Sequence, residues 1–472
     1  MKSRLFHCFS ILFVSTSCAH AAVQENSSTA IHSGVAWYDQ NAKMVSAHGG
    51  GIFKEGDKYY LFGEFKRDGG NEFSGFSCYS SSDLTNWTFE SIALPVQEDG
   101  RLGPNRVGER PKVLKCPKTG EFVMYMHTDN SDYKDPAVGY ATSKSVTGPY
   151  TFQGPILFGE KPIKKWDMSA YRDEDGTGYI VTHSGNLYRL SDDYKSVTAQ
   201  VVKGMTQGCE SPAIFKHKGL YYWLGSGLTG WERNDNYYFT AKSLEGPWEK
   251  RGNFAPKDTL TWNSQTTFVL PVEGSETTTF LYMGDRWAHP FQNSAATYVW
   301  QPLQFDDKGN ISLPEFHPSW QIDVKTGKWS TSSPKGEIKD IGEFPNVQRK
   351  GEWKSHTDSN GFSDLRSNKK GDSLTIPFTG TQIGFHGVAR PDGGFGRVEI
   401  KDANGNVVLT TIVETYCQYH EASLKFLSPT LKQGDYTLTL TVLGERFFWK
   451  AKKGTYGSSD DYVSIRKVLI SK

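Results

Sequence analysis

The stretch EGDKYYLFGEF, residues 55–65, sets a glycine-containing turn directly before a run of aromatic and aliphatic residues that is typical of a β-strand. Four similar stretches follow along the chain: TGEFVMYMHTD from Thr119, DGTGYIVTHS from Asp175, HKGLYYWLGSG from His217 and TTTFLYMGDRW from Thr277. Copies spaced roughly fifty residues apart indicate radial repetition of one β-sheet unit. We therefore predict an all-β fold that begins with a five-bladed β-propeller; an array of unrelated β-sandwiches is the alternative.

Further β-type runs lie between these copies. Three of them, FSCYSSSDLTNWTF, VGYATSKSVTGPYTF and YYFTAKSLEGPWEK, carry turn residues at their centres. We interpret them as the outer hairpins of the same blades.

The composition changes after the last copy of the repeat. We expect the propeller to occupy residues 22–330 and a polar, proline-containing linker to occupy residues 331–350. Residues 351–472 alternate in the pattern of several strands, with a hairpin signal at DANG, and predict an ancillary β-sandwich domain. Accessible rings at Trp353, Tyr416, Tyr419 or Trp449 would indicate that this domain binds carbohydrate, because sugar faces stack on exposed aromatic rings.

The N-terminus has the pattern of an export signal. Residues 1–21 join the basic MKSR to an apolar run too short to span a bilayer, followed by an A-x-A cleavage site at Ala19–Ala21. We expect export to the periplasm or outside the cell; lipidation of Cys18 is the less favoured alternative. The remaining cysteines, Cys78, Cys116, Cys209 and Cys417, match no zinc pattern and are expected to be buried thiols rather than a disulfide.

The composition narrows the possible partners. The 472 residues contain 53 basic and 52 acidic side chains, without a long run of one sign, so neither nucleic acid nor an anionic membrane surface is indicated. Nothing after the signal reaches transmembrane length. No metal-ligand spacing or cofactor motif is present, and the expected partner is an oligosaccharide or polysaccharide substrate.

Acidic residues recur near the strand ends that a propeller would gather around its axis. They are Glu64, Glu109, Asp167 and Glu210. Each alone is a plausible solvated loop carboxylate, but side chains at one end of the inner strands converge on a central pocket. Like charges crowded there would keep one carboxyl group protonated near neutral pH.

Several motifs in order resemble glycoside hydrolase family 43, and most closely its exo-β-1,3-galactanase subgroup. They are AHGGGIFKEGDKYYLFGE, ERPKVL, WDMSAYRDEDG, ESPAIFKHKGLYYWLGSGLTGW, WNSQTTFVLP and YMGDRW. The resemblance runs from Ala36 to Phe316. It implies a five-bladed propeller and an inverting glycosidase that needs a general acid and an activated water on opposite faces of the sugar.

The resemblance also implies roles for individual residues. Glu210 matches the general acid, and Asp167 matches the carboxylate that orients Glu210 and raises its pKa. The usual aspartate base is absent, because the corresponding stretch holds His48 and three glycines. In the galactanase subgroup a glutamine in N-S-Q-T is thought to hold the water; Gln265 matches it and is expected about 6.5–9.5 Å from Glu210.

The remaining site residues are implied sugar contacts. Glu64 and Glu109 would accept hydrogen bonds from sugar hydroxyls. Tyr133, Thr229 and Trp231 match substrate-contact positions, although Tyr133 is also suited to a hairpin cap and Trp231 to a core.

Three functions fit these observations. The first is an exo-acting β-1,3-galactosidase on galactan or arabinogalactan. The second is a family 43 α-L-arabinofuranosidase or β-xylosidase, which would differ in the shape of the pocket. The third is a non-catalytic carbohydrate-binding propeller, suggested by the absence of the aspartate base.

Overall fold

A computed structural model describes residues 28–451 and 454–472 of the chain. The expected signal peptide, residues 1–21, and Cys18 lie outside the described residues. The described chain is nearly all β, as predicted; its helical segments are a four-residue turn, α1 (Leu260–Asn263), and 3₁₀ turns at Gly100–Leu102 and Ile341–Glu343. No helix in this part of the chain is long and apolar enough to cross a membrane.

Five sheets follow one another between residues 48 and 302, and in each of them the main strands are consecutive and pair antiparallel. The first holds β2 (His48–Glu55), β3 (Lys58–Glu64), β4 (Phe76–Ser81) and β5 (Thr88–Leu94). The second holds β6 (Arg106–Lys115), β7 (Phe122–Asn130), β8 (Ala137–Ser143) and β9 (Thr151–Pro155). The third holds β12 (Met168–Arg172), β13 (Gly178–Thr182), β14 (Asn186–Leu190) and β15 (Val197–Val202), with the short β10 (Leu157–Phe158) and β11 (Lys161–Pro162) at its edge.

The last two sheets complete this series. The fourth holds β16 (Glu210–His217), β17 (Leu220–Ser226), β18 (Tyr237–Ala241) and β19 (Glu249–Asn253), and the fifth holds β20 (Gln265–Glu273), β21 (Thr278–Arg286) and β22 (Thr297–Pro302). A two-stranded ribbon follows, β23 (Gln304–Phe305) with β24 (Ile311–Ser312). Each of the five repeated stretches forms the second strand of one sheet, and the turn in each stretch joins that strand to the first.

The first strands of the five sheets contact one another in a closed cycle. Strand β2 contacts β6, β6 contacts β12, β12 contacts β16, β16 contacts β20, and β20 contacts β2. Apolar clusters fill the spaces between neighbouring sheets; one of them packs Trp223 and Phe239 of the fourth sheet against Tyr179 and Val181 of the third. Equivalent ends of all five first strands are thereby brought to one place.

The N-terminal strand pairs with a strand that follows the fifth sheet. Strand β1 (Ile31–His32) pairs with β25 (Ser319–Ile322), which also pairs with β26 (Trp329–Thr331). Ile31 lies opposite Trp320, whose fully buried indole donates a hydrogen bond to the carbonyl of Trp300 at 2.8 Å. Residues nearly three hundred positions apart therefore share one core.

The strands between residues 337 and 471 pair among themselves. One sheet has the order β27 (Glu337–Asp340), β40 (Lys467–Ser471), β32 (Gln382–Ala389), β35 (Glu421–Leu427). A second has the order β28 (Gln348–Lys350), β31 (Ser373–Gly380), β36 (Gly434–Val442), β33 (Phe395–Asp402), β34 (Val407–Glu414). The smaller groups are β29 (Lys354–Thr357), β30 (Ser363–Ser367) and β39 (Val463–Ile465), and the hairpin β37 (Phe448–Ala451) with β38 (Gly454–Gly457).

Side chains of the two larger C-terminal sheets share one apolar core. It includes Leu438 and Leu440 from β36 together with Ile383 and Phe385 from β32, all fully buried. None of the four aromatic residues named as possible sugar platforms has a fully exposed ring: Trp353 and Tyr416 are buried, and Tyr419 and Trp449 are half-buried. The four described cysteines are buried and unpaired, as expected.

The C-terminal sheets pack directly on the loop between β17 and β18 and on the end of β21. The guanidinium of Arg233, which is 1% exposed, lies 3.3 Å from the Glu414 carboxylate, and the Tyr416 hydroxyl donates to Glu232 at 2.7 Å. Arg286 forms a second ion pair with Glu421 at 3.3 Å. Because buried charges are tolerated only when they are paired, these contacts fix the C-terminal region against that loop and the end of β21.

Candidate active site

A cavity of about 280 Å³ lies where equivalent ends of the five first strands meet. Seven of the eight predicted site residues line it: Glu64, Glu109, Tyr133, Asp167, Glu210, Trp231 and Gln265. The other lining residues were not predicted: Arg110, His127, Trp166, Gly230, Trp287 and Trp449. The chain thus brings together residues that are as much as 385 positions apart.

A repeated backbone irregularity turns the acidic side chains toward the cavity. Glu109 and Glu210 each precede a residue in the left-handed conformation, Arg110 at φ 54° and Ser211 at φ 53°. The pairing register of β6 with β7 and of β16 with β17 shifts at these positions. Such bulges re-aim side chains beside active sites, and non-glycine residues adopt this conformation only when the surroundings enforce it.

The segment before Gln265 also has the left-handed backbone conformation, and there it extends over several consecutive residues. All four residues of α1 have φ between 52° and 57°, so α1 is a left-handed turn rather than an ordinary helix. Each L-residue in that conformation costs about 1–2 kcal/mol. This strained turn lies just before Gln265. Backbone strain of this kind clusters at functional sites.

Two buried arginines hold the left-handed turn. Arg286 donates to the carbonyls of Asn263 at 3.0 Å and Trp262 at 3.1 Å. Arg233 donates from Nε to the Asn263 side-chain oxygen at 2.7 Å. Since these arginines also pair with Glu421 and Glu414, the C-terminal sheets help to fix the position of Gln265.

Glu210 has the properties of a general acid. Burial, and then the negative charge of Asp167, raise the pKa of Glu210 well above its ordinary value, while Arg110 opposes them. A raised pKa increases the fraction of Glu210 that keeps its proton, and a protonated carboxyl group can donate that proton to a leaving oxygen.

Asp167 acts on Glu210 without bonding to it directly. Its Oδ2 accepts hydrogen bonds from the Ser211 backbone N–H at 2.9 Å and the Ser211 hydroxyl at 3.0 Å, and an ion pair from Arg110 Nε at 3.0 Å. Asp167 therefore holds the residue next to Glu210 in its left-handed conformation and places a like charge nearby.

Gln265 lies beside Glu210 and not across the cavity from it. Its Nε2 donates to Glu210 Oε1 at 3.1 Å and to the Ser226 hydroxyl at 3.2 Å. The expected separation of about 6.5–9.5 Å is wrong for this structure. The physical reason is that both residues begin first strands of adjacent sheets, β16 and β20, so their side chains are neighbours.

The orientation of the Gln265 amide is fixed by its other two partners. Arg110 donates to Oε1 at 2.8 Å, and Trp287 donates to the same oxygen from Nε1 at 2.9 Å. Two donors on this oxygen identify it as the carbonyl end and use both of its lone pairs. An amide can accept a proton from water only through its imidic tautomer, which carries a proton on that oxygen. This tautomer is therefore disfavoured for Gln265 in this arrangement.

Glu109 is held as a carboxylate by a buried histidine. His127 contacts Glu109 through Nδ1 at 2.9 Å and Asp129 through Nε2 at 3.2 Å. Burial alone would lower the pKa of His127, but its hydrogen bonds to the two acids raise it to about 9. Burial likewise opposes the charge of Glu109, but His127 outweighs it and holds the pKa of Glu109 well below its ordinary value.

His127 also belongs to a cluster of three side chains that could in principle bind a metal ion. Glu109, His127 and Asp167 place ligand atoms within 4.8 Å of one another. A metal-binding histidine must offer a free nitrogen lone pair, whereas both nitrogens of a protonated His127 donate to carboxylates. The donor set therefore fits an imidazolium rather than a bound metal ion.

Glu64 lies at the end of β3, paired with His48, so it is not on a first strand as the other acids are. Its carboxylate lies 2.5 Å from Lys66 Nζ and accepts the Arg110 backbone N–H at 3.0 Å. A side chain at Gly49, which has φ +60°, would put its Cβ only 2.3 Å from Glu64 Oε1. The glycine beside His48 thus makes room for this carboxylate.

His48, at the position of the usual aspartate base, is buried and does not line the cavity. Its Nδ1 contacts Asp285 at 3.2 Å, and its ring stacks on Tyr298 with centroids 4.6 Å apart. His48 therefore contributes to the packing next to the cavity.

Aromatic rings form one side of the cavity. Trp231 and Trp287 meet edge to face with centroids 5.0 Å apart, and Lys66 Nζ lies 5.3 Å from the Trp231 ring and 5.5 Å from the Trp287 ring. Trp231 is therefore part of the wall of the site as well as of an apolar cluster.

Tyr133 and Thr229 differ in placement. The Tyr133 hydroxyl donates to Glu109 at 2.7 Å inside the cavity. Thr229 does not line the cavity; its hydroxyl donates to the Glu232 carbonyl at 2.6 Å and stabilises the loop, while the neighbouring Gly230 takes the lining position.

The comparison with protein families decides the identity of this site. Residues 45–309 match the family described as glycosyl hydrolases family 43. The chain belongs to glycoside hydrolase family 43. It is a glycosidase that hydrolyses O-glycosyl bonds. A search of curated proteins returned no match.

Solved family 43 structures resemble this chain over most of its length. The exo-β-1,3-galactanase of Phanerochaete chrysosporium, solved with galactose, is 29% identical with a TM-score of 0.69; the match covers 93% of this chain and 99% of that one. A variant of that enzyme, solved with β-1,3-galactotriose, has a TM-score of 0.70 at 29% identity, over 94% and 100% of the two chains.

Two other solved structures are also similar to this chain. The exo-β-1,3-galactanase of Clostridium thermocellum is 29% identical, over 74% of this chain and 86% of its own, with a TM-score of 0.59. A Bifidobacterium bifidum protein assigned to the same activity is 40% identical with a TM-score of 0.56, over 60% of this chain and 96% of its own.

The influence of Asp167 on Glu210 predicts a change in pH dependence. Asp167→Asn removes the charge that raises the pKa of Glu210 and frees Arg110, whose charge lowers that pKa. The alkaline limb of the kcat/KM profile should therefore move to lower pH, because Glu210 loses its proton earlier. Asp192→Asn, at an exposed carboxylate paired with Lys118, is the matched control and should keep the parent profile. An alkaline limb that stays in place or moves upward in Asp167→Asn would contradict this role.

Proposed function

We propose that this enzyme is an exo-acting β-1,3-galactosidase that releases galactose from galactan or arabinogalactan chains. The observation that carries the proposal is the pairing of Glu210, whose pKa is raised, with Gln265 in one cavity of about 280 Å³. A cavity of this size accommodates a terminal sugar better than a long segment of polysaccharide. The likeness to exo-β-1,3-galactanases over more than nine-tenths of the chain supports the choice of galactan.

The fold that we propose for this activity is a five-bladed β-propeller at residues 22–330, a linker at 331–350 and a β-sandwich at 351–472. The closed cycle of contacts among the five first strands supports the propeller. The common core of the two larger C-terminal sheets supports the sandwich. We further propose export after removal of residues 1–21, on the pattern of the N-terminal sequence.

Glu210 is the proposed general acid of an inverting reaction. When a substrate enters, the proton of Glu210 passes to the glycosidic oxygen as the bond from the anomeric carbon to that oxygen breaks. A retaining reaction would instead need a free carboxylate nucleophile. The other cavity carboxylates are engaged: Asp167 by Arg110 and Ser211, Glu109 by His127 and Tyr133, and Glu64 by Lys66.

Gln265 is the proposed holder of the attacking water. Its four hydrogen-bonding positions are occupied, and its bond to Glu210 is 3.1 Å long. Inversion needs the two groups about 6.5–9.5 Å apart, so this bond must break and Glu210 must turn away from Gln265 to reach the glycosidic oxygen. The freed Nε2 then has a place for a water molecule. Since Arg110 and Trp287 occupy the amide oxygen, Gln265 orients the water and is not itself the proton acceptor. As the water bonds to the anomeric carbon, its proton passes to a carboxylate that lines the same cavity, Glu64 or Glu109.

The sugar hydroxyls have matched partners around this pair. Glu109 and Glu64 offer carboxylate oxygens, and Tyr133 offers a hydroxyl already fixed on Glu109. Carboxylates that are held by buried cations bind hydroxyls without having to be reoriented. Trp231 offers apolar surface beside the sugar ring.

A substrate panel tests the proposed activity. Purified enzyme is incubated with β-1,3-galactan and with aryl β-galactoside, α-L-arabinofuranoside and β-xyloside, and the products are separated by chromatography. Galactose should be released from galactan, and Glu210→Gln should lose about 10²–10⁴-fold in rate while still binding the glycan. Release of arabinose or xylose without galactose would replace the proposal with the second function. Sugar binding without turnover on any substrate would support a non-catalytic propeller.

The role of Gln265 predicts a specific pattern among its variants. Gln265→Ala should lose most turnover without unfolding the protein, because the water is no longer held. Gln265→Glu should recover part of the activity, since a carboxylate can accept the proton of the water. Gln321→Ala, at an exposed position on β25, is the matched control and should behave as the parent. Normal turnover in Gln265→Ala, or a loss explained by unfolding alone, would refute the role.

A further inference from the structure

One residue of the catalytic cavity comes from the C-terminal region. Trp449 lies on β37, far beyond the family match at residues 45–309, and its side chain lines the cavity. The hairpin of β37 and β38 is a separate two-stranded sheet, so it is not needed to complete the larger C-terminal sheets. The remaining question is what this indole does in the cavity.

The indole of Trp449 continues the aromatic wall of the site. Its ring meets Trp231 with centroids 6.0 Å apart, and Trp231 in turn meets Trp287. On another side, His289 lies 5.5 Å from the Trp449 ring. Three tryptophans therefore run in series from the C-terminal hairpin to Gln265, to which Trp287 donates its hydrogen bond.

The neighbouring loop is shaped to admit this ring. A Cβ at Gly230 would lie 2.3 Å from Trp449 Nε1, and Gly230 also has φ +62°. The Nε1–H is buried and has no hydrogen-bond partner in the structure. A buried donor without a partner is unfavourable, and the ring is only half-buried, so packing alone does not account for a tryptophan here.

We propose that Trp449 is a substrate-contacting residue whose indole stacks on the apolar face of the terminal galactose. The inference rests on the proposed function and extends it to a specific subsite. Galactose carries its O4 axially, which leaves contiguous C–H groups on one ring face, and such a face stacks on aromatic rings. The C-terminal region is then part of the sugar site as well as a support for it.

Four enzymes test the proposal: the parent, Trp449→Ala, Trp449→Leu and Phe448→Ala. The leucine variant keeps apolar packing against Trp231 but removes the flat ring. Phe448 is the adjacent residue on the same strand, is 54% exposed and serves as the control. The measurements are kcat and KM on β-1,3-galactan oligosaccharides, Kd for free galactose, and thermal midpoints.

Both Trp449 variants should raise KM and the galactose Kd about five- to tenfold, with kcat changed less than about twofold, and Phe448→Ala should match the parent. If the alanine variant does not fold, the leucine variant decides the matter. Parent values of KM and Kd in a folded Trp449 variant would overturn the inference. If the parent itself releases no galactose from galactan, the proposed function fails and this subsite falls with it, whereas an active parent with unaffected variants refutes the subsite alone.

Discussion

The guanidinium of Arg110 is the interaction on which the site depends. Its Nε pairs with Asp167 and its Nη2 donates to Gln265, while its backbone N–H binds Glu64. Arg110, a left-handed residue of the second sheet, thereby links that sheet to the first sheet through Glu64, to the third through Asp167 and to the fifth through Gln265. Burial opposes the charge of Arg110, but the surrounding carboxylates outweigh it and raise its pKa, so the site contains a permanent cation at its centre. That cation sets the orientation of the Gln265 amide and limits how far Asp167 can raise the pKa of Glu210.

The sequence predicted the β-architecture and most of the acidic groups because their signals are local. The repeated turn and strand of EGDKYYLFGEF marks the second strand of each sheet, and Glu109, Glu210 and Gln265 stand beside recognisable strand starts. Arg110 was not predicted, although it follows Glu109 directly. An arginine in a loop is usually solvated, and only the bulge and the left-handed φ turn it inward. The contact between Gln265 and Glu210 was missed because the sequence does not show how each side chain turns at the irregular start of its strand.

The contribution of the C-terminal region was also beyond sequence reasoning. Trp449 was considered as an exposed platform for a separate binding domain, but it lies in the catalytic cavity. The arginines that hold the left-handed turn before Gln265 are neutralised by Glu414 and Glu421 of that region. Two buried cations without these partners would carry a large desolvation cost. The strained backbone of the active site is thus supported by chain that lies outside the family match.

In the proposed mechanism water displaces the leaving sugar in a single step, assisted by an acid and without a covalent sugar intermediate. The most direct test is the configuration of the first product, followed by ¹H NMR of the anomeric protons while the enzyme acts on β-1,3-galactan. Inversion requires that α-galactose forms first and that the β-anomer appears only later, through mutarotation. Initial formation of β-galactose would show retention and would contradict the roles given to Glu210 and Gln265.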